Sequence, residues 1–183
     1  SQRGGGWGAD YAQMLKDIHT PLKTANPNAM VILGGLALEN IGVDSKGIDI
    51  FNYYFLNEVL GAGGGPYFDV MNFHYYTNFI NVWSQYGKDI LGKLAYVRSV
   101  FTAYGVVQKP MFVSEAGEWS STLPICTSNF PRNEEVQADY ATKLYIRGLV
   151  GDIKSAIWYI LQDFNYGSGW ECDSTRGLFR SDG

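Results

Sequence analysis

Apolar positions along the chain follow two alternating periods. Tyr11, Met14, Leu15, Ile18 and Leu22 fall on one face of a helix that Asp10 can cap, and Asn26-Pro27-Asn28 ends it. The continuous apolar run MVILGGLA (30–37) then predicts a buried strand. A helix over 49–60 and the loop GAGGGP lead to a second strand, FDVMNFHYY (68–76). Residues 88–104 set Ile90, Leu94, Val97, Phe101 and Tyr104 at helical spacing, and PMFVSE (110–115) is the third strand. Asn133-Glu134-Glu135 opens another helix, with Val136, Tyr140 and Leu144 four apart and acids near its N-terminus. SAIWYILQDF (155–164) is the fourth strand.

Strands that are apolar almost throughout, separated by helices, predict an α/β fold with a parallel sheet covered by helices. Each strand ends in polar or aromatic residues: His74 and Tyr76, then Glu115, then Gln162 and Asp163. Parallel α/β folds keep their chemistry at the carboxyl ends of the strands, so these groups are expected to share one face. Glu115 is the informative one. An unpaired buried carboxylate is expensive, so it is either a solvated strand end or a functional group at the mouth of a pocket.

Composition narrows the partners. The 183 residues suffice for one domain with a real core. A net charge of -4 and a pI near 5.1 argue against nucleic acid. The longest apolar run, around 29–38, is shorter than the ~18 residues of a membrane helix and is broken by Gly34 and Gly35, so no membrane partner is expected. No signal peptide is visible at Ser1. The 13 Tyr, 10 Phe and 5 Trp can fill a core, but surplus ones in polar loops suit stacking on flat apolar faces such as sugar rings. GGGWG and GAGGGP lack a following Lys-Ser/Thr and read as loops rather than phosphate cradles. Two cysteines, Cys126 and Cys172, lie in loop-like segments. They are free thiols or a disulfide, and the poor tolerance of exposed loop thiols favours the disulfide, which would imply export. Without a C-x-x-C or Cys/His cluster, no metal or cofactor is expected.

Only four strands can be counted, and the chain opens on SQRGGGWG as if within a loop and stops at RSDG. A complete eight-stranded barrel needs ~250 residues, so residues 1–183 are expected to be half of one domain. The pieces LKTANPNAMVILGGLA, FDVMNFHYY, KPMFVSEAGEW and SAIWYILQDF with GLFRSDG, taken in order, resemble strands five to eight of a retaining (β/α)8 TIM-barrel glycoside hydrolase of clan A. The likeness is to its β-xylosidase, α-L-iduronidase and cellulase-like branches.

The resemblance implies that Glu115 is the nucleophile and that Tyr76, with His74, bonds it. It also implies that Trp158 forms a platform beneath the sugar. Trp119, Gln162, Asp163 and Trp170, with Glu118, sit in strand-end segments that line subsites or remain solvated. Retention needs two carboxyl groups roughly 5 to 5.5 Å apart, and the Asn-Glu pair that carries the acid/base in this clan would lie before Ser1. The missing N-terminal half, or a second copy, would then be a partner, because a cut barrel exposes sheet edges and an apolar face. The loops after strands seven and eight would bring Cys126 and Cys172 within bridging distance. Two other readings stay open: a carbohydrate-binding or degenerate barrel, and another TIM-barrel enzyme using Glu115 as a general base.

Overall fold

A computed structural model describes residues 7–38, 52–76, 85–87, 89–123, 126, 132–164 and 172–180. Among them are helices α1 (Trp7–Ala25), α2 (Phe55–Gly61), α3 (Asp89–Ala103) and α4 (Glu134–Val150). They alternate with strands β1 (Met71–Tyr76), β2 (Met111–Gly117) and β3 (Ile153–Trp158), which form one parallel sheet in the order β1-β2-β3. Two short 3₁₀ turns, Gly65–Tyr67 and Asp173–Thr175, complete the regular structure among the described residues.

The first helix differs from expectation in its start and its packed face. It begins at Trp7, so Asp10 lies in the first turn rather than at the cap, still well placed beside the positive helix end. Gly8, Ala12 and Leu15 are buried, whereas Met14, Ile18 and Leu22 are exposed. The reason is close approach to α2. The Gly8 N–H donates to Glu58 Oε2 at 3.1 Å, and a Cβ on Gly8 would lie 2.2 Å from the Glu58 Cβ. Gly8 and Ala12 let α2 come close, so of the expected apolar face only the Tyr11 and Leu15 side packs inward.

The run at 30–37 is not a continuous strand. It touches the sheet through two isolated parallel bridges, Ile32 to Val70 and Leu36 to Phe73, with Gly34 and Gly35 between them. The Leu33 N–H donates to Val70 O at 3.0 Å, and the His74 N–H donates to Leu36 O at 3.0 Å. So the segment still lies beside β1 in parallel, as a buried strand would. Of the helix expected over 49–60, residues 49–51 lie outside the described residues and α2 begins at Phe55. The strand expected over 155–164 runs instead from Ile153 to Trp158.

The core lies between the sheet and the helices. Phe73, Met71 and Val113 from the strands meet Leu94, Val97 and Phe101 of α3, and Phe68 packs tilted on Phe101. On the other flank Tyr140 of α4 stacks on Tyr75 and donates its hydroxyl to Tyr75 O. Asn133 caps α4 as expected, its side-chain oxygen accepting from the Val136 N–H at 2.8 Å. Both flanks of the sheet also carry exposed apolar side chains. One has Met14, Ile18, Leu22 and Ile32, and the other has Leu149, Val150, Ile157 and Leu161.

Candidate active site

At the carboxyl end of the sheet one residue is out of step. Asn72 pairs with Phe112 and Phe73 with Val113, but His74 pairs with Glu115, leaving Ser114 as an extra residue on β2. Regular alternation would give Glu115 the parity of Met111 and Val113, both buried against the helices. The bulge reverses that parity: Glu115 turns to the side of His74 and Tyr76, and Ala116 takes the buried side. Asn72 Oδ1 accepts the Ser114 N–H at 3.1 Å, which supplies the bulged residue with a partner.

The bulge brings three groups together. Tyr76 donates its hydroxyl to Glu115 Oε1, and His74 Nδ1 lies 3.5 Å from Glu115 Oε2. The Glu115 and His74 side chains are about one-third exposed, so a solute can reach them from the strand ends. Burial raises the Tyr76 hydroxyl far above the ordinary tyrosine range, and its bond to Glu115 adds to this, so it stays a donor at neutral pH. Burial pulls His74 below its ordinary value. Glu115 opposes that shift, and the Lys93 ammonium reinforces it. Lys93 is fully buried and donates to His74 O at 2.7 Å and to Ala37 O, tying the 30–37 segment to β1 beneath the site.

Gly35 sets the position of His74. A Cβ there would lie 2.2 Å from His74 Nε2 and 2.9 Å from Ser114 Oγ. Gly35→Ala is therefore expected to push the imidazole outward and to destabilise the protein by about 1–3 kcal/mol. With less burial, the His74 titration moves up toward the ordinary histidine value of about 6.5. The sign for stability follows from linkage. A depressed folded value means the unfolded chain binds the proton first, so the native protein loses stability as pH falls below about 6.5. Gly35→Ala should weaken that acid sensitivity. Histidine ring NMR across pH 4–8 checks the shift, and an unmoved midpoint would refute the contact.

The remaining residues singled out from sequence occupy different places. Trp119 takes a guanidinium over its ring from each of Arg132 and Arg176, at 4.3 and 4.5 Å from the centroid. Its Nε1–H donates to Cys126 O at 3.0 Å. The indole is thus engaged by two cations rather than open as a stacking surface. Glu118 is buried and ion-paired with Arg132. Trp158 pairs in register with buried Ala116, packs edge-on against Tyr140 and donates to Arg176 O at 2.8 Å. Its ring therefore belongs to the wall between sheet and α4, not to a floor at the strand ends.

Gln162 bridges to Phe179, and Asp163 Oδ1 accepts the Gly177 N–H at 2.7 Å. Asp163 also borders a shallow cavity of about 330 Å³, whose lining includes none of Glu115, His74 or Tyr76. Trp170 lies outside the described residues. Cys126 and Cys172 form the disulfide, with their Cα atoms 5.4 Å apart. Sequence reasoning passed over Arg132, Arg176 and Lys93. A lone basic residue in a polar segment carries no signal of the ring or carbonyl it will meet.

No family model matches the chain, and no curated protein matches it. The fold has solved counterparts. An endo-laminarinase from Formosa superposes with a TM-score of 0.67 at 14% identity, covering 97% of this chain and 50% of that one. A β-glucuronidase from Bacteroides uniformis does so with a TM-score of 0.51 at 17% identity, covering 93% of this chain and 18% of that one. The chain spans half the length of the laminarinase and less than a fifth of the glucuronidase. At these identities the likeness is one of fold, and both counterparts are glycoside hydrolases.

Proposed function

We propose that the chain forms the nucleophile-bearing half of a retaining O-glycosidase barrel acting on oligo- or polysaccharides. The observation that carries this reading is the bulge at Ser114, which turns Glu115 out of the core and into contact with Tyr76 and His74. A strand gains nothing from spending a bulge on a merely solvated carboxylate. A carboxylate held by a fixed hydroxyl donor is suited to attack.

In the first step a Glu115 oxygen bonds to the anomeric carbon. The bond from that carbon to the leaving oxygen breaks, and the leaving oxygen takes a proton from a carboxylic acid supplied from outside this chain. In the second step water attacks the same carbon and yields its proton to the same group. The glycosyl ester opens, and Glu115 is regenerated. Tyr76 orients Glu115 throughout by donating from a hydroxyl that does not ionise. His74, kept neutral by burial, adds no second charge to compete for the carboxylate.

The partner half of the barrel, or a second copy, would cover the apolar margins at Met14, Ile18 and Leu22 and at Leu149, Val150 and Ile157. The disulfide suits an oxidising compartment, and we place the protein outside the cytoplasm.

Two arms of one experiment test the function. In the assembled barrel, proton NMR of the first sugar released from an aryl glycoside should show retained anomeric configuration. These 183 residues alone should give no turnover, since loss of general acid assistance costs ~10² to 10⁴ in rate and half of the sugar contacts are absent. Inversion in the assembled enzyme, or full activity of the isolated segment, would overturn the proposal.

A further inference from the structure

Behind Tyr76 the structure stacks planar groups drawn from three separate stretches of chain. The Arg176 guanidinium carbon lies 4.6 Å from the centroid of the Tyr76 ring and 4.5 Å from that of Trp119. Arg132 lies 4.3 Å from the Trp119 centroid and is ion-paired with Glu118. The order of support is therefore Tyr76, Arg176, Trp119, Arg132, Glu118. Arg176 is 8% exposed, and its Nη1 donates to Gly117 O at 3.3 Å, at the end of the strand that carries Glu115. Its main-chain oxygen accepts from Trp158.

The segment that presents Arg176 is pinned on both sides. Thr175 O accepts from the Ser120 N–H and from Gln137 Nε2, and the Thr175 N–H and Oγ1 both donate to Cys172 O. Glu118 O accepts from the same Gln137 amide at 2.8 Å.

We propose that Arg176 is a positioning residue that fixes the plane of Tyr76 and thereby aims the Tyr76 hydroxyl at Glu115. The inference rests on the nucleophile reading of Glu115. A tyrosine aims its hydroxyl through two side-chain torsions, and a ring left open on one face can rock about both. A guanidinium stacked on that face and held by Trp119 removes the freedom at little entropic cost, because its own plane is already fixed by Gly117 O and the indole. An ammonium has no plane to offer, so lysine is not an equivalent here. The charge of Arg176 also opposes the upward shift of the Tyr76 hydroxyl without abolishing it, leaving the group a donor. Trp119 and Arg132 act one step further back, as the surface on which Arg176 rests.

The test is a double-mutant cycle in the assembled enzyme with a dinitrophenyl glycoside. That leaving group needs no protonation, so the single-turnover rate of its release at saturating substrate reads nucleophilic attack. Arg176→Lys and Arg176→Met are each expected to lower that rate by about 10- to 10²-fold, the scale of a small misplacement of a reacting group. The substrate concentration that half-saturates it should change less than about twofold, because the interaction does not involve substrate. In a Tyr76→Phe background, where no hydroxyl remains to aim, the same Arg176 substitutions should cost less than about twofold more. Should Arg176→Met fail to fold, the Arg176→Lys cycle carries the same comparison.

Fully additive losses would overturn the proposal, as would a raised half-saturating concentration at an unchanged single-turnover rate, which would make Arg176 a substrate contact. Labelling of Glu115 by a fluoroglycoside reports separately on the nucleophile reading. A labelled Glu115 with additive kinetics sinks only the role of Arg176. Label on another residue removes the reading on which that role rests.

Discussion

Glu115→Gln is expected to lower turnover by several orders of magnitude while leaving the fold and sugar binding in place. The amide has the shape of the carboxylate and an oxygen that can still accept from Tyr76, so the contact across β1 and β2 has a substitute. What would disappear is the negative charge that the proposed mechanism uses to form the ester with the anomeric carbon, and an amide oxygen is too weak a nucleophile to replace it. His74 does not compensate, since it lies on the carboxylate's other oxygen and burial disfavours its charged form. A calorimetric titration with an oligosaccharide, beside the kinetics, separates the two effects. Retained binding with lost turnover is the expected pair. Normal turnover in Glu115→Gln would remove Glu115 from the chemistry.

Removal of the disulfide has the second largest expected effect, and it acts on stability and activity together. Cys126 and Cys172 are 46 residues apart, and closing a loop of that length is worth about 4 kcal/mol through the unfolded chain. The bridge also joins the two segments that build the support behind Tyr76. Cys126 O holds the Trp119 indole, and Cys172 O holds Thr175, next to Arg176. The double Cys126→Ala/Cys172→Ala variant should therefore lose several kcal/mol in denaturant unfolding. It should also lose more turnover at 25 °C than its remaining folded fraction explains. A stability loss below about 1 kcal/mol would show that the bridge constrains neither state.

Much of this arrangement was legible in the residues, and what was hidden has definite physical causes. The parallel α/β order could be read because short strand-like runs alternate with segments that keep a helical period, as in MNFHYY followed by Ile90, Leu94, Val97 and Phe101. Placing Glu115 at a strand end was also within reach. Its orientation was not, because a bulge is a change in pairing between two strands, and nothing in PMFVSE marks Ser114 as the extra residue. Strict alternation would have buried the glutamate.

The surroundings of the aromatics were hidden for a related reason. Trp119 reads as a subsite or solvated loop residue until Arg132 and Arg176 arrive from other parts of the chain to take its ring. Trp158 falls on the helix side because it shares the parity of Ala156, which pairs with buried Val113 once β3 has taken up an extra residue between Ile153 and Ser155. On α1, periodicity found the helix and set Tyr11 and Leu15 against the core, but it also enlisted Met14, Ile18 and Leu22, which are exposed. Burial there is decided by how near Gly8 and Ala12 let α2 come, a property of small residues that an apolar pattern ignores.

The central claim is that the bulge delivers Glu115 to an anomeric carbon. An activated fluoroglycoside traps the covalent intermediate of a retaining enzyme, and peptide mass mapping of the trapped protein locates the ester. The account predicts a single glycosyl adduct on the peptide containing PMFVSEAGEW, with fragment ions placing it on Glu115. An adduct on Glu118, Asp163 or any other residue, or no adduct from an enzyme that turns the sugar over with retention, would contradict it.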